Sequence, residues 1–106
     1  MITIQIGSAS KTIEEYDSAW AASQIGGRGR DKLPVCIRIS IEEPGVMLSL
    51  VTKSCNASAA TSGGGRSPNS LELEIFDLWQ RHGLNEMVVK PGNLISFMNQ
   101  LRRLFR

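Results

Sequence analysis

The feature that most constrains the fold is a pair of alternating apolar segments on either side of a Pro44-Gly45 dipeptide. Every second residue is apolar in residues 35–41 and again in residues 46–50. This period of two is typical of strands that bury one face. Proline at the first central position of a turn and glycine at the second suit a type II geometry. The sequence therefore predicts a β-hairpin with one face directed at a core.

Two further segments near the N-terminus have patterns that indicate secondary structure. Isoleucines alternate with polar residues over residues 2–6, which predicts a strand. Residues 12–25 have apolar side chains at helical spacing, and Thr12 with Glu15 matches a capping box. We therefore expect a helix that begins at Thr12 and ends before Gly26. If the strands on either side of it pair in parallel, a right-handed crossover follows.

The C-terminal half predicts two more helices. The first spans residues 69–83, because Asn69 can cap it, Glu72 follows three residues later and Gly83 suits a Schellman ending. The second starts near Pro91 and carries an apolar stripe to the C-terminus. Residues 87–89 can add a short edge strand.

The resulting order is β-α-β-β-α-α, with the possible extra edge strand. Strands with one apolar face require one helical layer, which predicts an α+β two-layer sandwich with a small, mostly antiparallel sheet covered by helices on one face. A chain of 106 residues suits one domain, 1–106. Glycine-rich polar segments at 26–34 and 54–68 predict flexible loops. Whether Trp20 and Trp79 lie in the core or at the surface stays open.

The two cysteines have no metal-ligand or redox spacing. We interpret Cys36 as a small buried hydrophobe and Cys55 as an incidental loop thiol. The N-terminus lacks a signal-peptide pattern, and no apolar run approaches the length of a membrane span. The sequence therefore predicts a cytoplasmic protein with no membrane partner.

Catalytic and cofactor motifs are missing from the sequence. The glycines of residues 62–66 precede a helix but lack the spacing of a phosphate-binding loop. His82 is the only histidine, and a histidine in a last helical turn is explained by the helix dipole. We predict a non-enzymatic protein with no cofactor and no metal. A small ligand-binding domain or enzyme around His82 is the second alternative.

The leading prediction is a small protein-binding or regulatory module of the adaptor or inhibitor type, or a homodimer. Three amphipathic helices can offer more apolar surface than a small sheet covers, and the last helix adds a basic rim. We therefore expect a protein partner, or a second copy of the chain, at a set of residues on this helix: Phe97, Met98, Leu101, Arg102, Leu104 and Phe105.

The first alternative is a nucleic-acid-binding protein. Basic residues lie among glycines in two loops and near the C-terminus, and such residues can bind phosphates. The candidates are Arg28, Arg30, Lys32, Arg66, Arg102 and Arg103. Against this alternative, the outward strand positions carry no aromatic side chains on which bases could stack.

Overall fold

The part of the chain that the structure describes forms one four-stranded antiparallel sheet, in the order β2-β1-β3-β4, and three helices. The strands are β1 (Ile2–Ile6), β2 (Ala9–Thr12), β3 (Ile37–Glu43) and β4 (Val46–Val51). The helices are α1 (Ser18–Gly26), α2 (Ser70–Arg81) and α3 (Pro91–Leu104). The computed structural model describes residues 1–26, 35–55, 67–86 and 88–105, so most of the predicted loops 26–34 and 54–68 lies outside the described residues.

The predicted α+β two-layer arrangement is confirmed. Alternate residues of β1, β3 and β4 are buried and join one core cluster with residues from all three helices. The intervening strand residues face away from the helices, because successive side chains of a strand point to opposite faces. Within the described ranges, no helix has the length and apolar character that a membrane span requires.

The β3–β4 hairpin is confirmed as well. Glu43 pairs with Val46, and the pairing continues to Arg38 opposite Val51. Gly45 has a φ of 86°, which the second central residue of a type II turn requires and which glycine adopts without strain.

The predicted helix start at Thr12 is wrong. Residues 9–12 form β2, which pairs with β1 across a tight turn at Gly7, where φ is 61°. Thr12 does contact Glu15, through its N–H at 3.4 Å and its hydroxyl at 3.3 Å, but this contact closes a turn. Helix α1 begins later, where the Trp20 N–H donates to the Asp17 carboxylate at 2.7 Å.

Two consequences follow for the sheet. β1 pairs with β3 in antiparallel orientation, so the conditional parallel crossover does not occur. The fourth strand of the sheet is β2, and the described residues of the segment 87–89 do not form the extra edge strand that the sequence predicts there. In that segment Val88 and Val89 lie outside any strand, and Met87 is outside the described residues.

The end of α2 matches its sequence signal. The Leu84 N–H donates to the Trp79 carbonyl at 3.1 Å, and the Gly83 N–H donates to the Gln80 carbonyl at 2.9 Å. Gly83 has a φ of 70°, so the residues form a Schellman motif. Leu84 is fully buried against the core, as is Trp79, whereas Trp20 is only partly buried.

The interpretation of the two cysteines is wrong. Cys36 and Cys55 form a disulfide with a Cα–Cα distance of 4.5 Å, and both residues are partly exposed. Cys36 directly precedes β3, and Cys55 ends a turn after β4, in which its N–H donates to the Thr52 carbonyl at 3.1 Å. The hairpin brings the two residues together, because pairing of β3 with β4 places the start of one strand beside the end of the other.

Candidate functional site

The N-terminus of α2 is attached to the edge of the sheet. The Asn69 side chain accepts from the Glu72 N–H at 2.8 Å, and the Glu72 carboxylate accepts from the Asn69 N–H at 2.9 Å, which completes the predicted capping box. The other carboxylate oxygen of Glu72 accepts from the Met47 N–H at 2.8 Å. The Asn69 amide nitrogen also donates to the Gly45 carbonyl. The first turn of α2 is therefore bound to the β3–β4 hairpin at both of its capping residues.

Large apolar side chains are exposed around this attachment. Leu73 is 55% exposed and Phe76 is 43% exposed on α2, while Met47 is 58% exposed on β4. Leu73 follows Glu72 directly, and Phe76 lies one helical turn after it, on the same flank of the helix. Met47 contacts the Glu72 carboxylate through its backbone N–H, whereas its side chain is one of the intervening strand residues that face away from the helices. We call Leu73 and Phe76, which lie together on α2, the apolar strip.

The surroundings of the apolar strip are mainly acidic. Glu74 and Asp77 are exposed on α2 beside Leu73 and Phe76, and Asp77 forms an ion pair with Arg81 one turn later. Two carboxylates and one guanidinium thus flank the apolar side chains, so the local charge is net negative and favours a basic partner.

The six residues predicted on α3 have different environments. Phe97, Met98 and Leu101 are fully buried in the core, with the Phe97 ring edge-on to Trp79 at 5.4 Å. Leu104 and Phe105 are partly buried and pack against the same core. A partner could reach the first three only by opening the fold, because the chain's own elements cover them.

Arg102, the remaining member of that set, binds a turn of the same chain. Its guanidinium donates to the Ile13 carbonyl at 3.1 Å and the Tyr16 carbonyl at 2.7 Å, and it lies 5.2 Å from the centre of the Tyr16 ring. These contacts tie α3 to the segment between β2 and α1. Arg102 therefore has a structural role in the packing of α3.

Tyr16 is almost completely buried beside Arg102, and its hydroxyl has no hydrogen-bond partner among the described residues. Burial raises the pKa of the Tyr16 hydroxyl above its ordinary value of 10.0, although the positive charge of Arg102 opposes the shift. A tyrosine with a raised pKa is neutral at physiological pH, so it supplies no general base there.

A shallow cleft of about 250 Å³ lies next to this arginine. Ile2, Ile13 and Phe105 form its apolar wall, and Glu14, Glu43 and Arg102 supply its charges. The volume is below the range of roughly 300–1,000 Å³ that is common for small-molecule sites. The cleft is therefore smaller than a typical small-molecule site.

His82 caps the C-terminal end of α2. Its carbonyl accepts from the Asn93 amide at 2.9 Å, and its ring lies edge-on to Phe97 at 6.4 Å. The buried Nε2 atom has no hydrogen-bond partner among the described residues. In the same part of the chain, no group of three or more potential ligands is placed to hold a metal ion. The structure thus brings no second catalytic group to His82 within the residues it describes.

The candidate nucleic-acid residues are only partly described. Arg28, Arg30, Lys32 and Arg66 lie outside the described ranges, whereas Arg103 is exposed on α3. The open face of the sheet carries a row of hydroxyl side chains, in which Thr12 pairs with Thr3, Thr3 with Ser40 and Ser40 with Ser49. None of the four strands contains an aromatic residue, so this face lacks the stacking platform of RNA-binding sheets. Nucleic-acid binding stays a prediction.

Comparison with known proteins gives no relative from which a function could be transferred: no family model, curated protein or solved structure matches this chain.

Proposed function

We propose that this chain is a small protein-binding module whose docking surface is the apolar strip of Leu73 and Phe76. The observation that carries the proposal is the exposure of Leu73 and Phe76 on the flank of α2 that is attached to β4. Isolated exposed apolar residues are common, but large ones gathered on one rigid site are typical of interaction surfaces. This surface replaces the α3 stripe as the proposed contact.

The partner that fits this surface is an amphipathic peptide segment with apolar and basic side chains. Its apolar side chains would cover Leu73 and Phe76, and its lysines or arginines would face Glu74 and Asp77. Such charges accelerate association and make it sensitive to salt, because the carboxylates are exposed and therefore screened. An aromatic anchor such as Phe76 typically carries a large share of the binding free energy.

A peptide titration followed by NMR tests this proposal. The probe is an amphipathic peptide of leucine and lysine at helical spacing, and its control has glutamate in place of lysine. We expect the basic peptide to shift the amide resonances of Leu73 and Phe76, and to bind more weakly as salt is raised. Phe76→Ala should weaken binding by about tenfold or more, the effect of losing roughly 1.4 kcal/mol or more at an aromatic hot spot.

Val88→Ala is the matched control, because Val88 is 58% exposed but lies outside α2 and β4. The variant should bind like the wild type. Equal affinity of the wild type and Phe76→Ala, or no binding of either peptide, would contradict the proposal. A dimer that Phe76→Ala converts to a monomer in light scattering would show instead that a second copy of the chain occupies the strip.

The Cys36–Cys55 disulfide bears on the predicted cytoplasmic location of the module. Disulfides are rare in the cytosol, and those that form there are usually transient. In the cytosol we would therefore expect Cys36 and Cys55 to be mainly reduced thiols. Trapping of thiols with a cell-permeable alkylating agent, followed by mass spectrometry, measures which state is present in cells.

A further inference from the structure

The disulfide lies at one corner of the sheet, where the chain enters β3 and leaves β4. Both cysteine residues are partly exposed at the surface of the domain. The covalent ring that the bond closes runs from Cys36 to Cys55 and contains the whole hairpin. Among the described residues there is no free thiol, because the disulfide joins the sulfur atoms of Cys36 and Cys55 to each other.

Noncovalent contacts hold the same corner. The Thr52 hydroxyl accepts from the Ile37 N–H at 3.1 Å, and the Thr52 N–H donates to the Ile37 carbonyl at 3.1 Å. The Ser54 hydroxyl donates to the Val35 carbonyl at 2.6 Å. Six residue pairs between β3 and β4 continue the ladder beyond this point. With these contacts in place, opening the disulfide leaves the hairpin paired and the two thiols close together.

We propose that Cys36 and Cys55 form a reversible redox clasp, which thiols can open and disulfides can close while the domain stays folded. A thiolate of the reductant attacks one cysteine sulfur and forms a mixed disulfide, and the other cysteine leaves as a thiolate that takes a proton from water. A second reductant thiolate then releases the first cysteine. The cysteine pair gains two electrons, and the reductant departs as its own disulfide.

Redox titration of the native protein tests the clasp. The protein is equilibrated in mixtures of reduced and oxidised glutathione, free thiols are trapped with N-ethylmaleimide and counted by mass spectrometry, and circular dichroism is recorded in parallel. We expect two thiols per chain in a mixture as reducing as the cytosol, with the spectrum unchanged, and full return of the disulfide in excess oxidised glutathione. A bond that opens only in denaturant would overturn the proposal and identify a permanent structural disulfide.

A double variant, Cys36→Ser with Cys55→Ser, reproduces the open state without a reductant. In hydrogen exchange, the amides of Ile37 and Thr52 should exchange faster than in the oxidised protein, whereas the amide of Ile4 in the central strand β1 should not. Loss of the folded circular dichroism spectrum in this variant would also overturn the proposal, since a reversible clasp requires a folded open state.

The clasp is independent of the proposed docking surface. The first turn of α2 is attached to the hairpin at Gly45 and Met47, near the Pro44-Gly45 turn and at the opposite end of the hairpin from the disulfide. The double cysteine variant should therefore bind the basic peptide like the wild type. Failure of the peptide titration would leave the redox result intact, and failure of the redox titration would leave peptide binding intact.

Discussion

The Glu72 carboxylate on α2 accepts a hydrogen bond from the Met47 N–H on β4 at 2.8 Å. β4 is an edge strand, and edge strands expose backbone groups that can pair with other chains. Glu72 covers one of these groups while it also accepts from the Asn69 N–H through its other oxygen. One almost completely buried carboxylate thus caps a helix and protects a sheet edge.

Replacement of Glu72 should destabilise the domain. Glu72→Ala leaves two backbone donors without their acceptor, and we expect the free energy of unfolding to fall by about 2–4 kcal/mol. Glu72→Gln keeps one of the two acceptor oxygens and should lose less. Urea denaturation followed by circular dichroism measures both. Glu74→Ala on the exposed face of α2 is the control, and a loss below about 1 kcal/mol in Glu72→Ala would contradict the assigned role.

Asn69 allows its two hydrogen-bonding roles to be separated. Asn69→Ala removes the cap and should lower the free energy of unfolding by about 1–2 kcal/mol. Asn69→Asp keeps the oxygen that accepts from the Glu72 N–H but places a second acceptor opposite the Gly45 carbonyl. We therefore expect the aspartate variant to be less stable than the wild type in the same assay. Equal stability would mean that the Asn69–Gly45 bond contributes nothing.

The elements that the sequence predicts correctly are those with local signals. The Pro44-Gly45 turn, the capping box of Asn69 with Glu72 and the Schellman glycine Gly83 each lie within a few residues of the structure they specify. Local backbone geometry decides such features, so they are visible in one sequence.

The features that were missed depend on contacts between distant residues. Residues 9–12 have no apolar alternation, and they become a strand because β1 supplies a pairing edge. The Cys36–Cys55 bond had an available signal, since the predicted hairpin already brings the start of β3 near the end of β4. The sequence signal for the apolar strip was weaker. Leu73 and Phe76 lie outside the helical stripe of α2 that contains the buried residues Ile75 and Leu78.

Two phenylalanines on different helices distinguish the core from the proposed docking surface. Phe97 is fully buried, so Phe97→Ala should lower the free energy of unfolding by about 3–5 kcal/mol. Phe76 is 43% exposed, so Phe76→Ala should change stability by about 1 kcal/mol or less while it weakens peptide binding. Urea denaturation of both variants makes the comparison. A stable Phe97→Ala variant would show that α3 is not packed as described.

Tyr16 should make the domain sensitive to alkaline pH. Burial raises the pKa of its hydroxyl above 10.0, so the folded state disfavours the phenolate. The stabilising effect is complete below pH 10.0, the pKa expected for the unfolded chain, and is lost as the pH rises through the raised pKa of the folded state. Tyr16→Phe removes this titration. It also removes a buried hydroxyl that has no hydrogen-bond partner among the described residues, so the free energy of unfolding of the variant at pH 7 should match or exceed that of the wild type. Urea denaturation between pH 7 and about pH 11 measures the free energy of unfolding of both proteins. The titration of the other groups cancels in the difference between the two values. Parallel pH profiles would show that the Tyr16 hydroxyl ionises as freely in the folded protein as in the unfolded chain.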